Sequence, residues 1–418
     1  SGHIPPGKQK KQRMTRCVKE IVMTTAPPET AIQTLDELLH QALAQGASDI
    51  HFESGDGFFR ARFRVDGLLR VVASPSLSLR DAIVSRIKVL ARMDIAEKRL
   101  PQDGRIQYPY LTQTLDLRVS SLPTIHGEKI VIRVLNSMRE RPSLATLGYE
   151  SDDVAKVIEA IHQPHGLILM TGPTGSGKTL SLYSCLDLLN RTELNISTVE
   201  DPSEILLSGA NQVNINERAG LTFASALRAL LRQDPDVIML GEIRDLETAE
   251  ISIQAAQTGH LVFSTLHTND APSTLARLRH MGIAAFNIAA SIKLIIAQRL
   301  VRRLCPHCKR LADTEQMDSL LRNLTTADQR AIPTQLRETA LNYKAVGCQA
   351  CDQGYKGRIG LYQVMPISEI MQALIMRDQH TQALSEQAAL EGIRTLRQAG
   401  WLKVLQGITS IEEVMALT

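Results

Sequence analysis

The chain has 418 residues, 44% of them apolar and 22% charged, with a formal net charge of +3. At that length about three domains of ordinary size are expected, with ample chain to bury a core. So small a net charge, with only 4% aromatic residues, argues against direct nucleic-acid binding, and no run of about 18 or more apolar residues offers a membrane span.

No apolar leader with a small-residue cleavage site opens the chain, so a cytosolic location is expected. Four of the six cysteines form two C-x-x-C pairs, and a reducing compartment favours metal ligation there over disulfides. Cys17 and Cys185 stand alone and are read as inert.

Residues 1 to 29 are basic and lack sustained periodicity, which reads as a flexible arm. From Ala31 to Leu43, apolar residues recur at Ile32, Leu35, Leu38, Leu39, Ala42 and Leu43, one face of a helix that Gly46 would stop. Phe59, Ala61, Phe63 and Val65 then alternate with Arg60, Arg62 and Arg64, and Asp66-Gly67 turns the chain into LLRVV, a hairpin signal. A second amphipathic helix is predicted over Leu79 to Met93, followed by a strand pair in TLDLRVSSLP and EKIVIRVL. Leu115, Leu117 and Val119 share one face of that pair, which leaves Asp116 and Arg118 on the other; Arg133 likewise faces away from Ile132 and Val134. Residues 30 to 137 therefore read as a small α+β domain. The polar, Pro- and Gly-marked stretch 138 to 150 is read as a linker, either a hinge or a passive connector.

Residues 151 to 304 alternate apolar, strand-sized runs with helical patterns, as a largely parallel sheet with covered faces requires. Its opening run, GLILMT, breaks into Gly172-Pro173-Thr174-Gly175-Ser176-Gly177-Lys178-Thr179 and then a helical pattern. This G-x-x-x-x-G-K-[ST] spacing between strand and helix is a phosphate-binding loop. Glycines aim successive N–H groups inward, the helix start adds its positive end, Lys178 reaches the β- and γ-phosphates, and Thr179 offers a hydroxyl to Mg²⁺. The expected ligand is a nucleoside triphosphate.

Three further strands end in polar groups that parallel order delivers to the same edge. Ile196 to Val199 leads into Glu200, Asp201 and Glu204; Val237 to Leu240 leads into Gly241 and Glu242; Leu261 to Leu266 leads into His267. Gly241 stands where many phosphate-loop enzymes carry an Asp for Mg²⁺, and Asp236 lies roughly 20 Å back along the strand. Glu242 is therefore expected to activate water or support Mg²⁺, with Glu200 and Glu204 sharing the work. His267 suits a γ-phosphate sensor, whereas His260 at the far end of its strand reads as structural. Which carboxylate is the general base stays open. In the helix Thr222 to Gln233, Arg228 and Arg232 lie on the face opposite the apolar stripe, as a neighbouring subunit's phosphates or plain solvation would both explain.

Residues 305 to 360 carry Cys305-Pro-His-Cys308 and Cys348-Gln-Ala-Cys351, a set of thiolates able to close a tetrahedral Zn²⁺ site. His307 is read as solvent-facing. Residues 361 to 418 return to helical patterning, with Thr409 or Ser410 as the cap of a last helix.

With these residues in view, the chain from about 30 to 418 resembles the type II secretion and type IV pilus assembly ATPases of bacteria. The resemblance rests on ASDIHFE (47–53), RFRVDG (62–67), AEKRLPQDGR (96–105), GPTGSGKT (172–179), TVEDPSE (198–204), LRQDPDVIMLGEIRD (231–245), TGHLVFSTLHTN (258–269), AQRLVRRLCPHC (297–308), GYKGRIGLYQV (354–364) and QGITSIEEVM (406–415). It implies an α/β architecture: a small N-terminal domain, a RecA-like ATPase domain, a zinc-binding insertion and a helical C-terminal part. It implies also a homohexamer driven by ATP and Mg²⁺, partnered by inner-membrane platform proteins and held peripherally at that membrane. Arg118 and Arg133 match arginines that close over the nucleotide, and Arg228 and Arg232 match arginines near the nucleotide or subunit boundary. The tetracysteine motif resembles the assembly and secretion branch. Two alternatives stand beside this motor: a RecA-like motor for DNA uptake or conjugation, and a non-hydrolysing scaffold that binds nucleotide and zinc.

Overall fold

The structure is a computed structural model that describes residues 30–135, 142–312 and 343–417. The basic arm and the first part of the linker lie outside the described residues. The described chain forms two units, each built on its own sheet.

The first unit contains α1 (Ala31–Ala44), β1 (Asp49–Gly55), β2 (Phe58–Val65), β3 (Leu68–Ala73), α2 (Arg80–Leu90), β4 (Gln102–Tyr110), β5 (Gln113–Thr124) and β6 (Gly127–Leu135). Its strands form one sheet in the order β3-β2-β1-β6-β5-β4. Thr30 caps α1 by accepting from Gln33 N–H, and Leu35, Leu38, Leu39 and Ala42 bury its apolar stripe. In β2 the alternation is as expected: Phe59, Ala61 and Phe63 are buried and the arginines between them face away.

The β1 strand alternates buried Ile50 and Phe52 with Asp49, His51 and Glu53, and its polar face is buried as well, with Glu53 covered by ion pairs. Glu53 Oε2 accepts from Arg60 Nε at 3.0 Å, and Oε1 accepts from Arg62 at 2.6 Å and pairs with Lys129 at 3.2 Å. Burial opposes the charge on Glu53, but these hydrogen bonds outweigh it and hold the carboxyl down at about 2. The second helix ends at Leu90, short of the expected Met93, because Arg92 turns left-handed at φ 57°.

The second unit contains α3 (Leu144–Leu147), α4 (Ser151–Ile161), β7 (Gly166–Thr171), α5 (Lys178–Leu189), β8 (Ile196–Glu200), β9 (Asn211–Asn214), α6 (Phe223–Leu230), β10 (Val237–Leu240), α7 (Leu246–Gln257) and β11 (Leu261–Leu266). These are followed by α8 (Ala271–His280), α9 (Ala285–Ser291), β12 (Ile292–Leu304), the short β13 (Arg310–Leu311) and β14 (Tyr343–Lys344), then β15 (Tyr355–Pro366). Four helices close the chain: α10 (Glu369–Met376), α11 (Thr381–Leu390), α12 (Leu396–Leu405) and α13 (Ile411–Met415).

The large sheet runs β15-β12-β7-β11-β10-β8-β9, parallel throughout except for β15, which is antiparallel to β12. Every residue of β7 is buried. Leu167 and Leu169 pack with α6 to α9 on one face while Ile168 and Met170 pack with α4 and α5 on the other. That is why the strand is a continuous apolar run rather than an alternating one.

The strand β15 crosses the expected border between a cysteine region and a helical region at residue 360. Its glycines and basic residues suggest turns, yet Arg358 to Pro366 pair along β12 as a regular ladder. The second half of the expected linker also belongs to this unit. Ser143 caps α3, Gly148 ends it at φ 110°, and buried Tyr149 stacks on Tyr362 with ring centroids 3.5 Å apart. The last helices are tied down by charge: Arg394 reaches Asp152 at 2.6 Å and Asp153 at 2.7 Å, and Lys403 reaches Glu150 at 2.6 Å. Ser410 stands at the N-cap of α13 without a side-chain bond into the helix; its hydroxyl lies 2.7 Å from the Tyr355 hydroxyl instead.

In the first unit Lys88 and Glu128 form an ion pair at 2.7 Å with side-chain exposures of 1% and 5%, and Lys88 Nζ also donates to Glu97 O at 2.7 Å. Removing one buried partner strands the other charge. Lys88→Met is therefore expected to cost this unit about 3–5 kcal/mol, read as an earlier urea transition of its amides in hydrogen exchange.

Candidate functional site

The phosphate loop leaves β7 at Thr171 and enters α5 at Lys178. Gly172 adopts φ 148°, and a Cβ there would lie 2.4 Å from Gln298 O on β12. Gly177 adopts φ 87° at the N-cap of α5, and a Cβ there would lie 2.8 Å from Gln298 Nε2. Only glycine fits both places, so the backbone lies close against its own sheet and opens upward. Thr174 and Gly175 lie at the exposed tip of the loop, with Pro173 before them. Ser176 Oγ is buried and has no hydrogen-bond partner among the described residues.

Lys178 Nζ bends back into this cradle, donating to Gly172 O at 2.7 Å and Pro173 O at 3.1 Å. Burial pushes its ammonium down to about 8, against the nearby Glu242 carboxylate that favours the charge. An orphaned buried hydroxyl and a desolvated lysine beside the free amides of a helix start fit an anion with several oxygens, such as a phosphate chain. Thr179 follows Lys178 in the first turn of α5.

The strands flanking β7 end at the same edge. Thr171 pairs in register with Leu266, which places His267 just beyond, and β10 ends at Leu240 ahead of Gly241 and Glu242. His267 Nε2 lies 3.4 Å from Glu242 Oε2. Sequence reasoning passes over the third member of this group, Arg244, whose Nη2 lies 2.6 Å from Glu242 Oε1 and 3.5 Å from Asp201 Oδ2. Its guanidinium also sits 5.6 Å from the centre of the Phe223 ring. The available signal is the spacing: in an extended stretch, residues 242 and 244 point the same way. Partial burial opposes the Glu242 charge, but Arg244, with His267, outweighs it and holds the carboxyl below its ordinary range. A carboxylate is thus kept ionised beside an imidazole and a lysine.

The other expected residues are placed differently. Glu200 is buried, and its Oε1 accepts from Tyr183 Oη and Thr198 Oγ1, both at 2.7 Å, and from Ser203 Oγ at 3.1 Å. These contacts make it a hub joining β8 to α5. Glu204 is exposed on the loop after β8. Asp236 lies at the opposite end of its strand and accepts from Asn195 N–H at 2.7 Å, and His260 Nδ1 is 3.0 Å from Ala255 O. Arg228 pairs with Glu247 of α7 at 2.7 Å, and Arg232 donates back to Arg228 O at 2.8 Å. Both line a groove of about 430 Å³ between α6 and α7. In the first unit Arg118 lies on β5, and Arg133 Nε donates to Asp49 Oδ1 at 3.0 Å.

A second constellation follows the end of β12. Cys305, Cys308, Cys348 and Cys351 bring their sulfurs within 4.8 Å of one another. Sγ separations are 3.9 Å for Cys305–Cys348, 3.6 Å for Cys308–Cys351 and 3.6 Å for Cys348–Cys351. Four sulfurs about 2.3 Å from a common centre at tetrahedral angles would stand about 3.8 Å apart. N–H groups of Gly347 and Cys348 point at Cys308 Sγ and Cys351 Sγ, each at 3.3 Å, which suits sulfurs carrying negative charge. The set fits a soft, tetrahedral ion.

A family model described as "Type II/IV secretion system protein" matches residues 26–416. The type IV pilus assembly ATPase PilB of Acinetobacter baylyi is 50% identical over 93% of this chain, which spans 66% of that protein. The type II secretion system ATPase E of Vibrio cholerae is 47% identical over 93% of this chain and 75% of its own length. Among solved structures, the pilus retraction motor PilT with bound ADP aligns with a TM-score of 0.61 at 26% identity, over 91% of this chain and 96% of that one. With a phosphate cradle, an acid and imidazole rim and a four-cysteine cluster all within the matched span, the chain belongs to the type II/IV secretion system protein family.

Proposed function

We propose that this chain is a motor ATPase that drives assembly of a type IV pilus or a type II secretion pseudopilus. The reading is carried by one observation: Glu242 and His267, 3.4 Å apart, stand on the rim that also holds the Lys178 cradle. The names of the relatives, both ATPases of such systems, support it.

In this reading the loop amides and Lys178 hold the β- and γ-phosphates of ATP, and the γ-phosphate takes the place of the backbone carbonyls that Lys178 Nζ now contacts. Glu242 orients the attacking water and accepts its proton, for which Arg244 must yield the Oε1 it occupies. His267 donates to a γ-phosphate oxygen and registers its loss. Thr179 and Glu242 would hold Mg²⁺, directly and through water; bound there, the ion neutralises charge developing on the phosphates. Arg118 and Arg133 of the first unit, and Arg228 and Arg232 of the second, are assigned to phosphate contacts made when subunits of a homohexamer close. For Arg133 that requires release from Asp49. The four cysteines would hold Zn²⁺, a structural ion that cross-links the ends of β12 and β15. Inner-membrane platform proteins are the proposed recipients of the motion.

Glu242→Gln is expected to lower ATP turnover about 10²-fold or more with nucleotide affinity retained, and Lys178→Ala to lose both; equal turnover in Glu242→Gln and wild type would remove Glu242 from the chemistry. The depressed Lys178 sets a pH dependence. Below about 8 the ammonium is already charged and ADP binds without proton uptake, whereas above about 8 binding must recapture a proton. Affinity should therefore fall by up to about tenfold per pH unit, with proton uptake visible calorimetrically in buffers of different ionisation enthalpy. Metal analysis should find zinc equimolar with the chain, and Cys348→Ser with Cys351→Ser should abolish it and lower the melting temperature.

A further inference from the structure

At the carboxyl edge of the second sheet, β7 and β11 end side by side at Thr171 and Leu266. One chain continues into the phosphate loop and the other delivers His267. Two hydroxyls join them. Thr171, fully buried, has its Oγ1 2.6 Å from Thr268 Oγ1 and accepts from Thr268 N–H at 2.9 Å. Leu266 O lies 3.1 Å from the same oxygen. Thr268 Oγ1 in turn lies 2.8 Å from Thr274 Oγ1 near the start of α8; with the Thr268 proton given to Thr171, the Thr274 hydroxyl donates to Thr268, and Asp270 O at 3.1 Å is its alternative acceptor.

A hydroxyl has one proton to give and two lone pairs to fill. Thr171 satisfies all three by donating to Leu266 O while accepting from both the N–H and the hydroxyl of Thr268. We propose that Thr171 and Thr268 are positioning residues for hydrolysis: their hydroxyl clasp holds His267 in register with the phosphate loop and passes the presence of a terminal phosphate to the start of α8. This proposal rests on the reading of the site as an ATP motor.

The clasp matters because the His267 side chain is 49% exposed and its Glu242 contact is long, at 3.4 Å. What fixes the backbone at His267 is the N–H of the next residue, anchored on Thr171. The glycine cradle has separate supports, the close approach of Gly172 and Gly177 to Gln298. Losing the clasp should therefore leave diphosphate binding intact and degrade recognition of the third phosphate.

Binding of ADP and of a non-hydrolysable ATP analogue, measured by calorimetry on the full chain together with steady-state turnover, tests this. In Thr171→Val, ADP affinity should stay within about threefold of wild type, the preference for the analogue over ADP should collapse toward unity, and turnover should drop about tenfold or more. Thr171→Ser keeps the hydroxyl and should keep both preference and turnover. Thr268→Val keeps the N–H anchor on Thr171 but cuts the hydroxyl link to Thr274, so it should keep the preference for the analogue and lower turnover. The clasp is refuted if Thr171→Val retains wild-type preference and turnover, if Ser and Val at 171 behave alike, or if ADP affinity falls in step with that of the analogue. A wild-type chain that binds neither nucleotide, or a His267→Ala variant that keeps the preference, overturns the motor reading itself and the clasp with it.

Discussion

The parallel pairing of β7 with β11, in unbroken register from Gly166 opposite Leu261 to Thr171 opposite Leu266, constrains everything else in the second unit. Helices cover both faces of these strands and every residue of each is buried, so no charged group can be hosted along their length without a large desolvation cost. Chemistry is confined to the strand ends. Because the strands run in one direction, their carboxyl ends lie together, and groups from three separate segments of chain meet without any long loop to carry them. Lys178, Glu242 and His267 are neighbours for that reason, though about 90 residues separate the first from the last.

Charge at this rim is balanced for a ligand that is itself an anion. Among the described residues Lys178 donates to backbone carbonyls alone, and burial holds its ammonium down at about 8. Glu242 is in the opposite condition, with a guanidinium and an imidazole against it. In the proposed function, arrival of a phosphate chain returns full charge to the lysine and competes with Glu242 for the guanidinium. With four donors on one carboxylate oxygen, Glu200 ties β8 to α5 and β9, where a buried polar group is costly unless it is hydrogen-bonded.

Much of the second unit is legible in the sequence because its signals are local. A phosphate loop is one short segment, and apolar strands with polar residues at their carboxyl ends disclose the rim by direction alone. What escapes is information held between segments. The first strand, DIHFESG, hides since its polar face is neutralised by Arg60, Arg62 and Lys129 from neighbouring strands. The strand β15 hides behind glycines that look like turns until β12 is laid beside it. Arg244 is overlooked as it sits between a strand and a helix in no element of its own, and the hydrogen bond that ties Glu200 to Tyr183 of α5 cannot be read from either segment alone. The start of the second unit is misread as connector because the Ser143 and Gly148 caps enclose a single helical turn, and the anchor that fixes it, Tyr362, is far along the chain.

The strand β12 links the two constellations, its ladder with β15 shifting register once, between Arg302 and Leu304. Its Gln298 lies under the glycines of the phosphate loop, and its last residue, Leu304, precedes the first cysteine. Beyond Gln298 the strand is braced: Arg302 is clamped by Glu413 at 2.6 Å, with its guanidinium 4.1 Å from the centre of the Tyr355 ring. Lys309, one residue past Cys308, donates to Gly407 O at 2.7 Å. So mounted, the cysteine knuckle cannot swing as a loose appendage. Any load applied to it would reach the floor of the phosphate loop along this strand, about 20 Å away.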